Sequence, residues 1–97
     1  MKDKLLPLKN LFWFTNFKNL DLEENKNLIV HQTLALGDWG QTEYLFKLYS
    51  KPEIKKEFIK LRKGLYEPKI LGLSKLFLGI KKLSNEKQYI KNIYDRK

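Results

Sequence analysis

Between positions 27 and 63 the chain reads NLIVHQTLALGDWGQTEYLFKLYSKPEIKKEFIKLRK, and this stretch allows few architectures. Ile29, Val30, Thr33, Leu34 and Leu36 recur at helical spacing. Gly37 follows at once, and it suits the left-handed position that closes a helix. Asp38, with Gln41 three residues on, has the form of a capping box that opens the next helix. Trp39, Thr42, Leu45, Phe46 and Tyr49 share one side of that second helix. Ser50, Pro52 and Glu53 repeat the start signal, with proline in the first turn where its missing N–H does no harm. A third helix then runs to about Lys63, with Ile54, Phe58 and Leu61 inward and Gly64 ending it. Almost no linker separates the first two helices, so they must cross at a large angle.

The flanks add to this unit. Asp21 with Glu24 predicts that the first helix starts near Leu22. On its polar side lie His31 and Gln32, which reads as a surface or hydrogen-bonded histidine rather than a ligand or base. Before it, residues 1–10 are a polar lead containing Pro7, and LFWFTNF at 11–17 is a turn or short extended segment whose rings cover the helical core. Glu67 and Pro68 open a fourth helix through Leu78. Its Ile70, Leu71, Leu73, Leu76, Phe77 and Leu78 predict a largely buried element closed by Gly79. Ser84 caps a last helix over 85–95, with Tyr89, Ile90, Ile93 and Tyr94 on one side. The expected fold is all-α: one small domain over 1–97, of four to five short helices. It divides into an aromatic segment at 1–20, a helix-turn-helix-like core at 21–80 and a basic helix at 81–97.

Ninety-seven residues suffice for one core without a staple. The absence of cysteine excludes disulfides and thiolate metal sites, and fits a cytoplasmic location. One histidine excludes a multi-histidine metal site. The basic start lacks a small-residue cleavage site, so a signal peptide is not expected. No apolar run approaches the roughly 20 residues that span a bilayer. No phosphate loop, metalloprotease or nucleophile motif is present. Asp21, Glu23, Glu24, Asp38 and Glu43 each have a capping or surface explanation, so neither catalytic residues nor a cofactor is expected.

Charge is placed unevenly. Residues 1–50 carry six lysines and six acids, whereas 51–97 carry fourteen bases and five acids, so the whole net charge of +9 sits in the second half. A basic half-domain commonly meets nucleic acid, an anionic membrane or an acidic protein. The candidate binding residues are Lys51, Lys55, Lys56, Lys60, Arg62 and Lys63, with Lys81 and Lys82 beyond. If helices two and three form a helix-turn-helix, residues 51–63 are the recognition helix. Base readout uses Arg, Asn, Gln and Ser, and here the exposed positions offer Lys51, Glu53, Lys55, Lys56 and Glu57. That pattern suits phosphates without reading sequence. The last helix, with Lys81, Lys82, Lys87 and Lys91, has the character of a membrane-surface helix, but its narrow apolar face with two tyrosines favours docking on protein.

One resemblance stands beside these readings. Leu11, Phe12 and Trp13, then Leu20 and Asp21, then Leu28, Ile29 and Val30, then Leu36, Gly37, Asp38 and Trp39 occur in that order, followed by Leu45, Leu48, Tyr49, Ile54, Lys55, Lys56, Leu65, Lys69 and Phe77. Over 7–80 the chain resembles a family of short bacterial proteins of unknown function that are often encoded beside abortive-infection-type nucleotidyltransferase toxins. The chain departs from that family at Phe14, where the family tends to have an acid, at His31 and Gln32, where it tends to have Glu and Arg, and in the added residues 81–97. The resemblance implies a non-enzymatic, antitoxin-like protein whose partner is such a toxin. A small DNA-binding regulator, or a sequence-independent nucleic-acid binder, is the alternative.

Overall fold

The computed structural model describes residues 2–60 and 62–91. Five α-helices carry the fold: α1 (Lys26–Leu36), α2 (Trp39–Leu48), α3 (Lys51–Phe58), α4 (Pro68–Leu78) and the short α5 (Glu86–Tyr89). Two 3₁₀ segments precede them, Lys2–Phe12 and Phe17–Asn19. The all-α expectation is met.

Helix α1 is central. Seven consecutive residues, Ile29 to Ala35, are buried, so the helix is covered on every side, by α2, α3, α4 and the first 3₁₀ segment. This overturns two sequence expectations. His31 and Gln32 are not on a polar side, because neighbours distant in the chain wrap that side too. The helix also begins later than expected. Asp21 does act as a cap, accepting the N–H groups of Glu23 and Glu24 at 2.9 and 2.8 Å, but it closes a separate turn over 22–25. Tyr49 pins that turn by donating its hydroxyl to the Leu22 carbonyl at 2.7 Å.

The N-terminal segment is helical rather than extended. At three residues per turn, Leu5, Leu8 and Leu11 stack on one side, and all three are buried. Long 3₁₀ runs are uncommon, because their hydrogen bonds are poorly aligned. Here side chains of α1 and α2 serve the segment's carbonyls. Gln32 Nε2 donates to Leu11 O at 2.9 Å, Gln41 Nε2 donates to Pro7 O at 3.0 Å, and Tyr44 donates to Lys4 O. Phe12 completes the inward set. The chain then turns, and Trp13 and Phe14 emerge 71% and 51% exposed, edge to face at 5.4 Å. Of the expected aromatic cover, Phe12 is core, Phe17 is half-buried, and Trp13 and Phe14 are surface.

At the α1–α2 corner the Asp38–Gln41 capping box forms in both directions. Gly37, however, is not left-handed: its φ is −74° and its ψ 157°, extended backbone open to any residue. Glycine is needed for a different reason. A Cβ at this position would lie 2.6 Å from the Thr33 carbonyl oxygen and 3.2 Å from Gln41 Cβ. Gly37→Ala is therefore expected to destabilise by about 1–3 kcal/mol through overpacking against backbone. A thermal melt unchanged by this substitution would contradict the close approach.

The Ser50–Glu53 capping box also forms, with Pro52 in the first turn of α3. This helix ends at Phe58, not at Lys63 as expected, because α1 takes its last carbonyls. Asn27 Nδ2 donates to Glu57 O at 3.0 Å and to Lys60 O at 3.3 Å, and His31 Nε2 reaches Lys60 O at 2.8 Å. Ile54 and Phe58 are buried as expected, and Leu61 lies outside the described residues. Gly64, at φ 67°, turns the chain beyond the helix instead of ending it.

Helix α4 has the expected bounds, and Gly79 closes it at φ 69° in the left-handed region. Only Leu71, Ser74 and Leu78 are buried, so the expected largely buried element is half solvent-facing, with Leu76 73% exposed. The last expected helix is much shorter. It starts after Asn85, without a cap from Ser84, and ends at Tyr89. Ile90 then pairs with Tyr66 as an isolated parallel bridge, and Lys91 donates to Tyr66 O at 2.7 Å. That pairing draws the chain into an extended form. Ile93 and Tyr94 lie outside the described residues.

Candidate functional site

Three places hold the residues that chemistry could use: the basic set, the buried histidine, and a groove between α2 and α4.

The basic set does not form one recognition helix. Lys51, Lys55 and Lys56 are exposed on α3, but Lys60, Arg62 and Lys63 follow its end. Lys81 and Lys82 are exposed in the link from α4 to α5. Lys60 pairs with Glu57 at 3.5 Å, and Arg62 Nε donates to Asn27 Oδ1 at 2.9 Å, so both also tie down the chain after α3. Among the described residues Lys51, Lys55, Lys56, Lys63, Lys81 and Lys82 form no ion pair, and three acids of this half pair with other lysines, Glu57 with Lys60 among them. Glu53 pairs with Lys26 at 3.3 Å, and Glu86 with Lys75 at 2.6 Å. The Ser50 N–H and the Lys26 ammonium hold the Glu53 carboxyl below its usual range. The result is an uncompensated lysine surface that can attract anions but holds none in a fixed geometry.

His31 is sealed in a ring cluster. Its imidazole lies 5.6–5.9 Å from the rings of Phe58, Tyr66 and Tyr89. Both nitrogens are occupied. A carbonyl can only accept, so Nε2 carries the proton and donates to Lys60 O at 2.8 Å. Nδ1 is then the acceptor, and the Tyr66 hydroxyl donates to it at 2.8 Å. Burial lowers the His31 pKa, offset in part by the Lys60 carbonyl, and burial raises that of Tyr66. A histidine with both nitrogens satisfied and no exposed surface is a structural tie between α1, the end of α3 and the Tyr66 strand-like segment. It is not placed to act as a base.

The groove contains what the sequence reading missed. Trp39, which shares a side of α2 with the buried Leu45 and Tyr49, is 63% exposed. Its ring meets Phe77 of α4 edge to face at 5.4 Å. Between them and the α2–α3 junction lies an open groove of about 480 Å³, floored by Thr42 and Phe46 and rimmed by Glu43, Lys47 and Lys51. A smaller hollow of about 160 Å³ shares Trp39, Thr42 and Phe77 and continues to Ile70 and Leu73. One signal was available for this surface. Helix α4 is apolar around more of its circumference than a single core stripe requires, and an excess of that kind on a small domain marks a contact surface. Among the described residues no group of His, Cys, Asp or Glu is placed to hold a metal ion, and no helix is long and apolar enough to cross a membrane.

Neither a curated protein nor a solved structure matches the chain. A family model does match, over residues 8–58, from the leucine stack of the first 3₁₀ segment to the end of α3. On that match, which spans more than half of its length, the chain belongs to a family of unknown function, DUF6922.

Proposed function

We propose that the protein is a non-catalytic, antitoxin-like interaction protein of the cytoplasm, which binds and restrains a nucleotidyltransferase-type toxin. The observation that carries the interaction reading is apolar surface left outside the core on α2 and α4: Trp39, Leu73 and Leu76 are exposed, and Trp39 and Leu73 line hollows beside the half-buried Phe77. Burying a side chain of this size against a partner contributes about 1.5–3 kcal/mol, so a few of them suffice for a stable complex. The toxin as partner rests on the resemblance of residues 7–80 described above. The test is co-expression with a nucleotidyltransferase toxin of the kind that the resemblance implies. The expected result is relief of its growth inhibition and co-purification of the two proteins, both lost on Trp39→Ala. Unrelieved toxicity with no complex would overturn the reading.

A nucleic-acid-binding reading is favoured by one observation, the unpaired lysines Lys51, Lys55 and Lys56 on a single short helix. Contacts of this kind give binding whose log K falls by about 0.9 per phosphate per log unit of salt on duplex DNA. Changing Lys55, Lys56, Lys60 and Lys63 to Gln is expected to flatten that slope and weaken binding to every sequence alike, as read by fluorescence anisotropy at two salt concentrations. Tight binding to one duplex that survives high salt would place this reading ahead of the first.

A further inference from the structure

We infer that the α2–α4 groove takes one amphipathic helix of a partner protein, apolar where it enters the groove and acidic at the end that meets Lys47 and Lys51. This rests on the protein-binding reading above and adds the chemistry of the bound element. The larger hollow is lined by the rings of Trp39, Phe77 and Phe46, the first two meeting at 5.4 Å, and the smaller one adds Ile70 and Leu73, so the entering side chains must be apolar. The rim is polar and its charge is uneven. Lys47 and Lys51 are exposed and form no ion pair among the described residues. Glu43 is the one acid on the rim of the larger hollow, and the Asp38 carboxylate nearby is engaged by the Gln41 N–H at 2.8 Å. A second copy of the chain would bring another net charge of +9 against this one, whereas an acidic element is drawn in by the same field.

The groove's walls argue for a helix. The two hollows together run from Phe46, Thr42 and Trp39 of α2 to Phe77, Leu73 and Ile70 of α4, and an apolar groove lined by helices receives the i, i+3, i+4 stripe of an amphipathic helix. An extended peptide binds by adding to a sheet edge, and among the described residues the only β-pairing is the isolated Tyr66–Ile90 bridge. A single-stranded base could stack on Trp39, but Ile70 and Leu73 of the adjoining hollow offer no stacking face, and most of the lysines that would hold its phosphates lie along α3 and beyond. The exposure of Trp39 and Leu73 also means that neither is needed to hold the core.

The test is selection from a displayed library of helical peptides on the full chain, counter-selected on Trp39→Ala and Leu73→Ser, both of which are expected to melt like the wild type. Enriched peptides are expected to carry two or more large apolar residues at i, i+3 or i+4 spacing and an Asp/Glu cluster at one end. Their affinity is expected to fall at least tenfold on Trp39→Ala. Lys47→Glu with Lys51→Glu is expected to turn the preference from acidic to basic peptides. Peptides that bind Trp39→Ala as well as the wild type would overturn the groove while leaving the protein-binding reading intact. Enrichment without acids would overturn the charge assignment, and no enrichment would overturn the inference as a whole. Groove-binding peptides together with a failed toxin co-purification would remove only the toxin. A concentration-dependent dimer in sedimentation velocity, abolished by Trp39→Ala, would assign the groove to a second copy and so overturn the acidic partner.

Discussion

Phe58→Ala is expected to lower the unfolding free energy by about 3–5 kcal/mol, most of the stability of a domain of this size. Phe58 is fully buried at the end of α3. Its ring packs against His31 at 5.6 Å, Tyr66 at 5.7 Å and Tyr89 at 5.5 Å. Its carbonyl accepts the Tyr89 hydroxyl at 2.8 Å. The three rings belong to α1, to the segment before α4 and to α5, so the cavity would open where the N-terminal and C-terminal parts of the fold are joined. Neighbours held by fixed hydrogen bonds have little freedom to collapse into it, which places the cost at the upper end. Trp13→Ala removes a larger side chain that stands in solvent, and its cost is expected to stay within about 0.5 kcal/mol. Urea denaturation followed by circular dichroism checks the pair. Equal losses for the two variants would contradict the assignment of Phe58 to the core and Trp13 to the surface.

Acidification is expected to weaken the fold before the carboxylates titrate. Burial among three rings lowers the His31 pKa below its ordinary 6.5, with the Lys60 carbonyl and Glu57 opposing and Arg62 reinforcing the shift. The unfolded chain therefore binds a proton more readily than the folded one. Stability is full above about pH 6.5 and falls as pH drops from there toward the folded value, by about 1.4 kcal/mol for each pH unit between the two. Glu53, whose pKa is lowered, adds its own loss only at lower pH, below the ordinary carboxylate range. His31→Gln removes the titration. It also disturbs the partners at Tyr66 and Lys60, each costing about 1–3 kcal/mol if left unpaired. This variant is expected to be less stable at neutral pH and flat between pH 7 and 5. A wild type as stable at pH 5 as at pH 7 would contradict a buried neutral imidazole.

Features written in short-range hydrogen bonds were legible in the sequence. Asp38 with Gln41, Ser50 with Glu53, and Gly79 each act within one helical turn, so their spacing alone specifies them. Features that depend on distant partners were not. The polar character of His31 suggested solvent, but Tyr66, thirty-five residues on, supplies the partner that lets it be buried. Gly37 was expected to need a left-handed backbone. Its actual constraint is the room a Cβ would need between Thr33 O, one turn back in α1, and Gln41 of α2, which depends on how the chain leaves α1 and on where the corner sets α2. The helical pattern after residue 85 yields to the Tyr66–Ile90 bridge, a long-range contact that competes with helix hydrogen bonds. In the first twelve residues Leu5, Leu8 and Leu11 recur every third position, a 3₁₀ spacing that differs from the α-helical one and reads as a polar lead when Pro7 stands among them. For the candidate site, the lysines were legible as charge. The groove was legible only as an apolar excess on α4, because which leucines stay outside is decided by packing against α1.

The most direct test of the central claim is a titration of the ¹⁵N-labelled 11.7 kDa protein with the proposed toxin partner, read by amide chemical shifts. The expected shifts and line broadening map to Trp39, Thr42, Lys47, Leu73 and Phe77, while the His31, Tyr66 and Tyr89 cluster stays in place. Shifts confined to Lys55, Lys56 and the residues after α3, or a spectrum unchanged at saturating partner, would contradict a protein-binding role for the groove.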